Sequence, residues 1–137
     1  MTTNISTPVL EVESISQLLA IIGQPARIQI LLVIRRKEAC VCHLEAVLGT
    51  RQASISQHLM LLRKAGLVIS QRDGRNIFYR LSNPQIVELI ERAADLTGIA
   101  PDALDLLARR PVDGCTCPQC NPGIDPELAC RSKNSTC

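Results

Sequence analysis

Aromatic side chains are almost missing from this chain of 137 residues, which holds one Phe, one Tyr and no Trp. Phe78 and Tyr79 are neighbours, so the core must be aliphatic. Sites for single-stranded nucleic acid stack bases on several rings, which argues against that ligand. Long apolar runs are also lacking: none approaches the roughly 18 residues of a membrane helix, so no membrane partner is expected. Basic residues are absent before Arg27. The N-terminus therefore lacks the charged start of a signal peptide, and the expected location is cytoplasmic. With two histidines and no Gly-rich phosphate loop, no catalytic constellation forms. The expectation is that the chain is not an enzyme and takes no organic small-molecule substrate.

Strong overall charge is missing too, at a formal net charge of +2, but the distribution is uneven. Residues 51–80 set Arg51, Arg63, Lys64, Arg72, Arg75 and Arg80 against Asp73 alone, six against one, a balance of +5. The flanks are neutral on one side and acidic on the other. A basic middle of this kind suits an element that touches phosphates. Cysteine, by contrast, is plentiful. Seven residues cannot all pair within one chain, and in a reducing compartment clustered cysteines indicate metal or redox chemistry rather than a disulfide frame.

The length suits one domain. Residues 1–12 carry no pattern and are expected to be a flexible N-terminus. Residues 13–110 make the folded unit, and residues 111–137 a Cys/Pro-rich tail that supplies metal ligands. Ile15, Leu18, Leu19 and Ile22 form one helical stripe, which Gly23 stops. Pro25 starts a second helix that runs to about Arg36 and buries Ile28, Leu31, Leu32 and Ile34. Arg35-Arg36-Lys37 then sits at the negative end of its dipole. A short helix over Cys42–Leu48, a turn at Gly49–Thr50 and a longer helix over Gln52–Ala65 match the helix-turn-helix pattern. Thr50 is the expected N-cap of the longer helix. A ribbon over Leu67–Leu81, turning at Asp73-Gly74, adds a wing. Asn83-Pro84 opens another helix with a stripe of Ile86, Leu89, Ile90 and Ala93, and residues 101–109 form a short last helix. The expected fold is mainly α with a small β-hairpin, a winged helix-turn-helix that reads duplex DNA.

On the longer helix, Ile55, His58, Leu59 and Leu62 face inward, which marks His58 as structural. Ala53, Gln57, Met60 and Lys64 face out, with Ser54 and Ser56 on the flanks. Ser54, Ser56 and Gln57 are the candidates for base edges in the major groove. Thr50, Arg51, Lys64, Arg72 and Arg75 are the candidates for phosphates or the minor groove, and Gln52 is a further DNA-binding candidate.

The motif order Cys40-Val41-Cys42-His43-Leu44, Gln52-Ala53-Ser54-Ile55-Ser56-Gln57-His58-Leu59, Leu62-Arg63-Lys64-Ala65-Gly66-Leu67-Val68, Asp73-Gly74-Arg75 and Tyr79-Arg80-Leu81 resembles the ArsR/SmtB family of bacterial metal-responsive repressors. The resemblance spans about residues 13–97. It implies a homodimer joined through its first and last core helices, which represses double-stranded operator DNA when metal-free and leaves when metal binds. Two departures stand out. Glu45 occupies the place where arsenic sensors of the family often carry a third cysteine. Residues 84–97 contain no His, so the zinc site of the last core helix should be absent.

Residues two apart do not face each other on a helix. Cys40 and Cys42 can therefore share one ion only if the chain there is extended or the first turn gives way. Cys115, Cys117 and Cys120 form a denser cluster in which Cys-x-x-Cys converges on one ion. The expected site joins Cys40 and Cys42 to tail thiolates from Cys115, Cys117 and Cys120, with His43 as a further candidate. Three sulfurs suit As(III) or Sb(III); four suit Cd(II), Pb(II) or Zn(II). Cys130 and Cys137 have no assigned role. The alternative is a thiol-redox or reactive-sulfur-sensing repressor of the same fold. A remote one is a thiol oxidoreductase using the Cys117–Cys120 motif, which normally accompanies a βαβ pattern.

Overall fold

The computed structural model describes residues 3–109, with side chains from Val9 onward, together with Cys115, Cys120, Asn121 and Gly123. Six α-helices and one hairpin follow in the order α1 (Thr3–Ile22), α2 (Pro25–Val33), α3 (Val41–Leu48), α4 (Gln52–Lys64), β1 (Val68–Asp73), β2 (Asn76–Leu81), α5 (Gln85–Thr97) and α6 (Pro101–Asp105). A 3-10 turn over Leu106–Ala108 follows α6. Helix α1 begins at Thr3, well before the stripe that predicts it. Residues 9–20 are all exposed, so the core is not what makes this early part helical. Of the predicted stripe only Ile22 is buried.

Helix α2 ends at Val33, short of the predicted Arg36, because the arginines after it are used elsewhere. Arg35 reaches Glu91 of α5 at 2.7 Å and Asp105 of α6 at 3.0 Å, and Arg36 adds a contact to Asp105 at 3.2 Å. The basic run ties three helices together instead of capping one. Helix α5 buries Ile86, Val87, Ile90 and Ala94. Leu89 and Ala93, expected inside, are exposed, so the buried stripe lies further round the helix than predicted. Pro84 is the N-cap of α5, and Asn83 before it accepts the Gln85 N–H on its Oδ1 at 2.9 Å.

The core is aliphatic, as the composition requires. Ile30, Leu31, Leu32 and Val33 of α2 meet Leu44 of α3 and Ile55, Leu59 and Leu62 of α4. Gly49 ends α3 in the left-handed conformation at φ 64°, its N–H donating to the Glu45 carbonyl at 2.8 Å. This is the tight turn of the helix-turn-helix. Arg51, not Thr50, is the N-cap of α4. The Thr50 hydroxyl instead donates back to the Leu48 carbonyl at 3.4 Å, so it serves the end of α3. At the far end of α4, Leu67 N–H donates to the Leu62 carbonyl and Gly66 N–H to the Arg63 carbonyl, both at 3.0 Å, the paired closure that a glycine permits. The hairpin is antiparallel with Asp73 opposite Asn76 and Gln71 opposite Phe78.

One short bridge sits outside the hairpin. Ala39 pairs with Tyr79, with N–H···O distances of 3.0 and 2.8 Å. The segment entering α3 is thereby sewn to the second strand of the wing.

Candidate functional site

Cys40 is the N-cap of α3 and has extended backbone, φ −90° and ψ 169°. The chain is held extended there by the Ala39–Tyr79 bridge one residue earlier. Cys42 lies in the first helical turn. The break in helical geometry between them brings the two sulfurs to 3.0 Å, which a continuous helix would forbid. Both residues are buried, with Phe78 of the wing, Cys115, Cys120 and the half-buried Ala46 packed around them.

The tail cysteines reach this cluster through His43. The imidazole is fully buried, its Nδ1 lying 3.2 Å from Cys120 Sγ and 3.5 Å from Cys115 Sγ. The three donor atoms lie within 4.8 Å of one another. Asn121 fixes the local turn, its side-chain amide donating to the Cys115 carbonyl at 2.7 Å. Cys40, Cys115 and Cys120 carry thiols. Cys42 is disulfide-bonded, and the bond goes to none of those three. A disulfide sulfur offers no thiolate until it is reduced. Cys117, Cys130 and Cys137 lie outside the described residues.

The candidate DNA contacts fall along α4 and the wing. Arg51, Ser56, Gln57, Lys64, Arg72 and Arg75 are exposed, and Thr50, Gln52 and Ser54 are half-buried. His58 sits at the back of α4, where Arg27 Nε donates to its Nδ1 at 3.2 Å. Burial, and secondarily the Arg27 charge, hold its pKa below the ordinary 6.5. It is a structural histidine that links α4 to α2.

Residues 24–70 match the model of the family described as bacterial regulatory protein, arsR family. The chain is 35% identical over 95 residues to the arsenic resistance transcriptional regulator ArsR1 of Pseudomonas putida, covering 64% of this chain and 73% of that one. The chain belongs to the ArsR family. Among solved structures, NolR from Sinorhizobium fredii matches with a TM-score of 0.63 at 29% identity, covering 68% of this chain and 93% of that one. A reduced form of HlyU from Vibrio cholerae matches with a TM-score of 0.60 at 30% identity, covering 66% and 96%. The chain spans 58–64% of the length of the first four curated relatives it matches.

Within this ArsR-family fold, reasoning from sequence brought out the cysteines but missed Phe78, Ala46 and Asn121. Their contacts to the cluster run between parts of the chain that no local spacing connects. The one available signal was that Phe78 is the sole phenylalanine and lies on the wing's inner register. The oxidoreductase alternative finds no support in the architecture. The sheet among the described residues is a single antiparallel hairpin, with no βαβ unit to carry such a motif.

Proposed function

We propose that this protein is a homodimeric repressor that binds duplex operator DNA through α4 and the wing. A thiophilic ion held by thiolates from Cys40, Cys42 and the tail, Cys115, Cys117 and Cys120, releases it. The observation that carries the reading is the buried sulfur cluster at the entry to α3. That cluster touches both halves of the reading head. Helix α3 leads directly into α4, and Phe78 belongs to the wing. An ion that draws the sulfurs together must move the Cys40–Cys42 segment. Through Ala39–Tyr79 and Phe78 that motion reaches β2. An ion lowers DNA affinity only by binding the DNA-free shape better, and the coupling is reciprocal. A coupling of about 1–3 kcal/mol changes affinity roughly 5- to 150-fold, enough for a switch.

The names of relatives support the same direction, since they include an arsenical resistance operon repressor of Escherichia coli and the repressor SmtB of Mycobacterium tuberculosis. No single described helix is long and apolar enough to cross a membrane, and the exposed basic residues of α4 and the wing suit a nucleic-acid partner. The site belongs to the ion classes that thiolates select: arsenite and antimonite, or cadmium, lead and zinc.

The test is operator binding by the reduced protein, titrated separately with arsenite, antimonite, cadmium, lead and zinc. At least one ion should release the DNA. Cys40→Ser and Cys42→Ser should bind the operator and ignore that ion. Normal release by the double variant would remove the site from the mechanism.

A second reading is favoured by one observation, the disulfide at Cys42. With Cys40 Sγ only 3.0 Å away, a thiol stands beside a disulfide sulfur, the arrangement in which thiol–disulfide exchange begins. On this reading the signal is oxidation of the same cluster. The two separate cleanly, because an ion sensor still responds when the protein is kept fully reduced.

A further inference from the structure

We infer that His43 is a metal ligand. With Cys115 and Cys120 it fits the pocket to a borderline divalent ion of the zinc and cadmium kind rather than to trivalent arsenic or antimony. This rests on the reading of the cysteine cluster as an ion site and names the class of ion.

Geometry is the first argument. Zinc bonds of about 2.3 Å to sulfur and 2.0–2.1 Å to nitrogen place tetrahedral N···S edges at roughly 3.6 Å. The His43 Nδ1 contacts are 3.2 and 3.5 Å. Little movement is needed to open them around an ion. All three residues are buried and their donor atoms lie within 4.8 Å of one another, so the donors are already desolvated and gathered.

Donor chemistry is the second. A soft three-thiolate pocket would admit a trivalent metalloid, but the atom between the two tail sulfurs is an imidazole nitrogen. Imidazole suits zinc, copper, iron and nickel, thiolates suit zinc, copper(I) and iron–sulfur clusters, and a closed tetrahedral mixed set is the pattern of zinc. Cadmium shares its charge and takes the same sulfur ligands. Cys40, a thiol in the same buried cluster, offers a further donor. Through it an ion bound between His43 and the tail would tie the tail to the entry of α3.

The third argument is local. The Asn121 side-chain amide donates to the Cys115 carbonyl at 2.7 Å, so Cys115 and the residue after Cys120 are tied to each other beside His43. An accidental approach of a tail to a core would lack such a brace.

The deciding experiment is zinc K-edge X-ray absorption on the reduced full-length protein loaded with one equivalent of zinc. The expected shell holds sulfurs at about 2.3 Å and one imidazole nitrogen at about 2.0–2.1 Å. The nitrogen should vanish in His43→Gln and persist in His58→Gln. An all-sulfur shell in the unaltered protein overturns the inference. So does a nitrogen that follows His58, or failure to retain zinc through gel filtration. The unaltered protein decides the matter even if His43→Gln folds poorly. In competition, His43→Cys should move the zinc-to-arsenite preference toward arsenite by at least about tenfold, and an unchanged preference counts against us. The operator assay is scored apart. A mixed shell in a protein that keeps its DNA under every ion would sink the sensor reading and leave the ligand assignment standing. Release by arsenite with an all-sulfur zinc shell would do the reverse.

Discussion

His58 shows what a single residue contributes here. It accepts a hydrogen bond from Arg27, so its Nδ1 must be unprotonated. Burial and the nearby cation lower its pKa from 6.5, and the folded protein holds this proton less well than the unfolded chain does. Where the unfolded state binds more protons, stability rises with pH. The contribution is therefore complete above about 6.5, the unfolded value, and is lost as pH falls through the lower folded value. Urea midpoints measured at pH 7.5 and pH 5 should drop more for the unaltered protein than for His58→Gln. Equal drops would mean that His58 does not carry this dependence.

At the scale of elements, the proposed function divides the work of reading DNA between α4 and the wing. Helix α4 turns Ile55, Leu59 and Leu62 inward and leaves Gln57 exposed, and a glutamine can pair two ways with adenine in the major groove. Arg75 lies at the hairpin turn, next to Gly74 at φ 62°, the proposed contact to phosphate or the minor groove. Gln57→Ala should relax sequence preference at one base pair, a loss of about 1–3 kcal/mol there. Arg75→Ala should weaken all sequences alike and lower the salt slope by about 1. Binding curves on operator and scrambled duplexes at several salt concentrations check both, and equal loss of preference from the two variants would contradict the division. The proposed coupling belongs to the same scale: the residues between Ala39 and Cys42 are shared by the wing's edge, the sulfur cluster and the start of α3.

At the scale of the molecule, the unburied apolar surface asks for a partner. Val12 on α1 is 63% exposed and Leu96 on α5 is 90% exposed, and Val9, Ile15 and Leu19 extend the first patch along one face. Burying a leucine fully is worth about 1.5–3 kcal/mol, so a second copy covering these helices would gain from each. A dimer would also set two reading heads roughly 34 Å apart, one turn of DNA. Leu96→Glu, at the most exposed of these apolar residues, should shift sedimentation from dimer toward monomer and weaken operator binding with it. A dimer of unchanged strength would put the interface elsewhere.

The amino-acid sequence by itself determined the aliphatic core, the helix-turn-helix with its wing, and the exposed basic residues along it. Those follow from periodicity, turn chemistry and charge, which are local. It also marked the cysteines as the candidate ligands. It misjudged the end of α2 and the buried face of α5, where salt bridges and packing between helices distant in sequence take part, and the start of α1, whose residues 9–20 are all exposed. Only the tertiary structure brought His43 between Cys115 and Cys120 and set Phe78 against the sulfurs. It also held Cys40 extended, so that its sulfur meets that of Cys42 in the first turn of α3. Contacts between residues 72 and 77 positions apart leave no trace in spacing. They exist because the tail folds back onto a helix entry whose extended geometry is itself imposed by the wing.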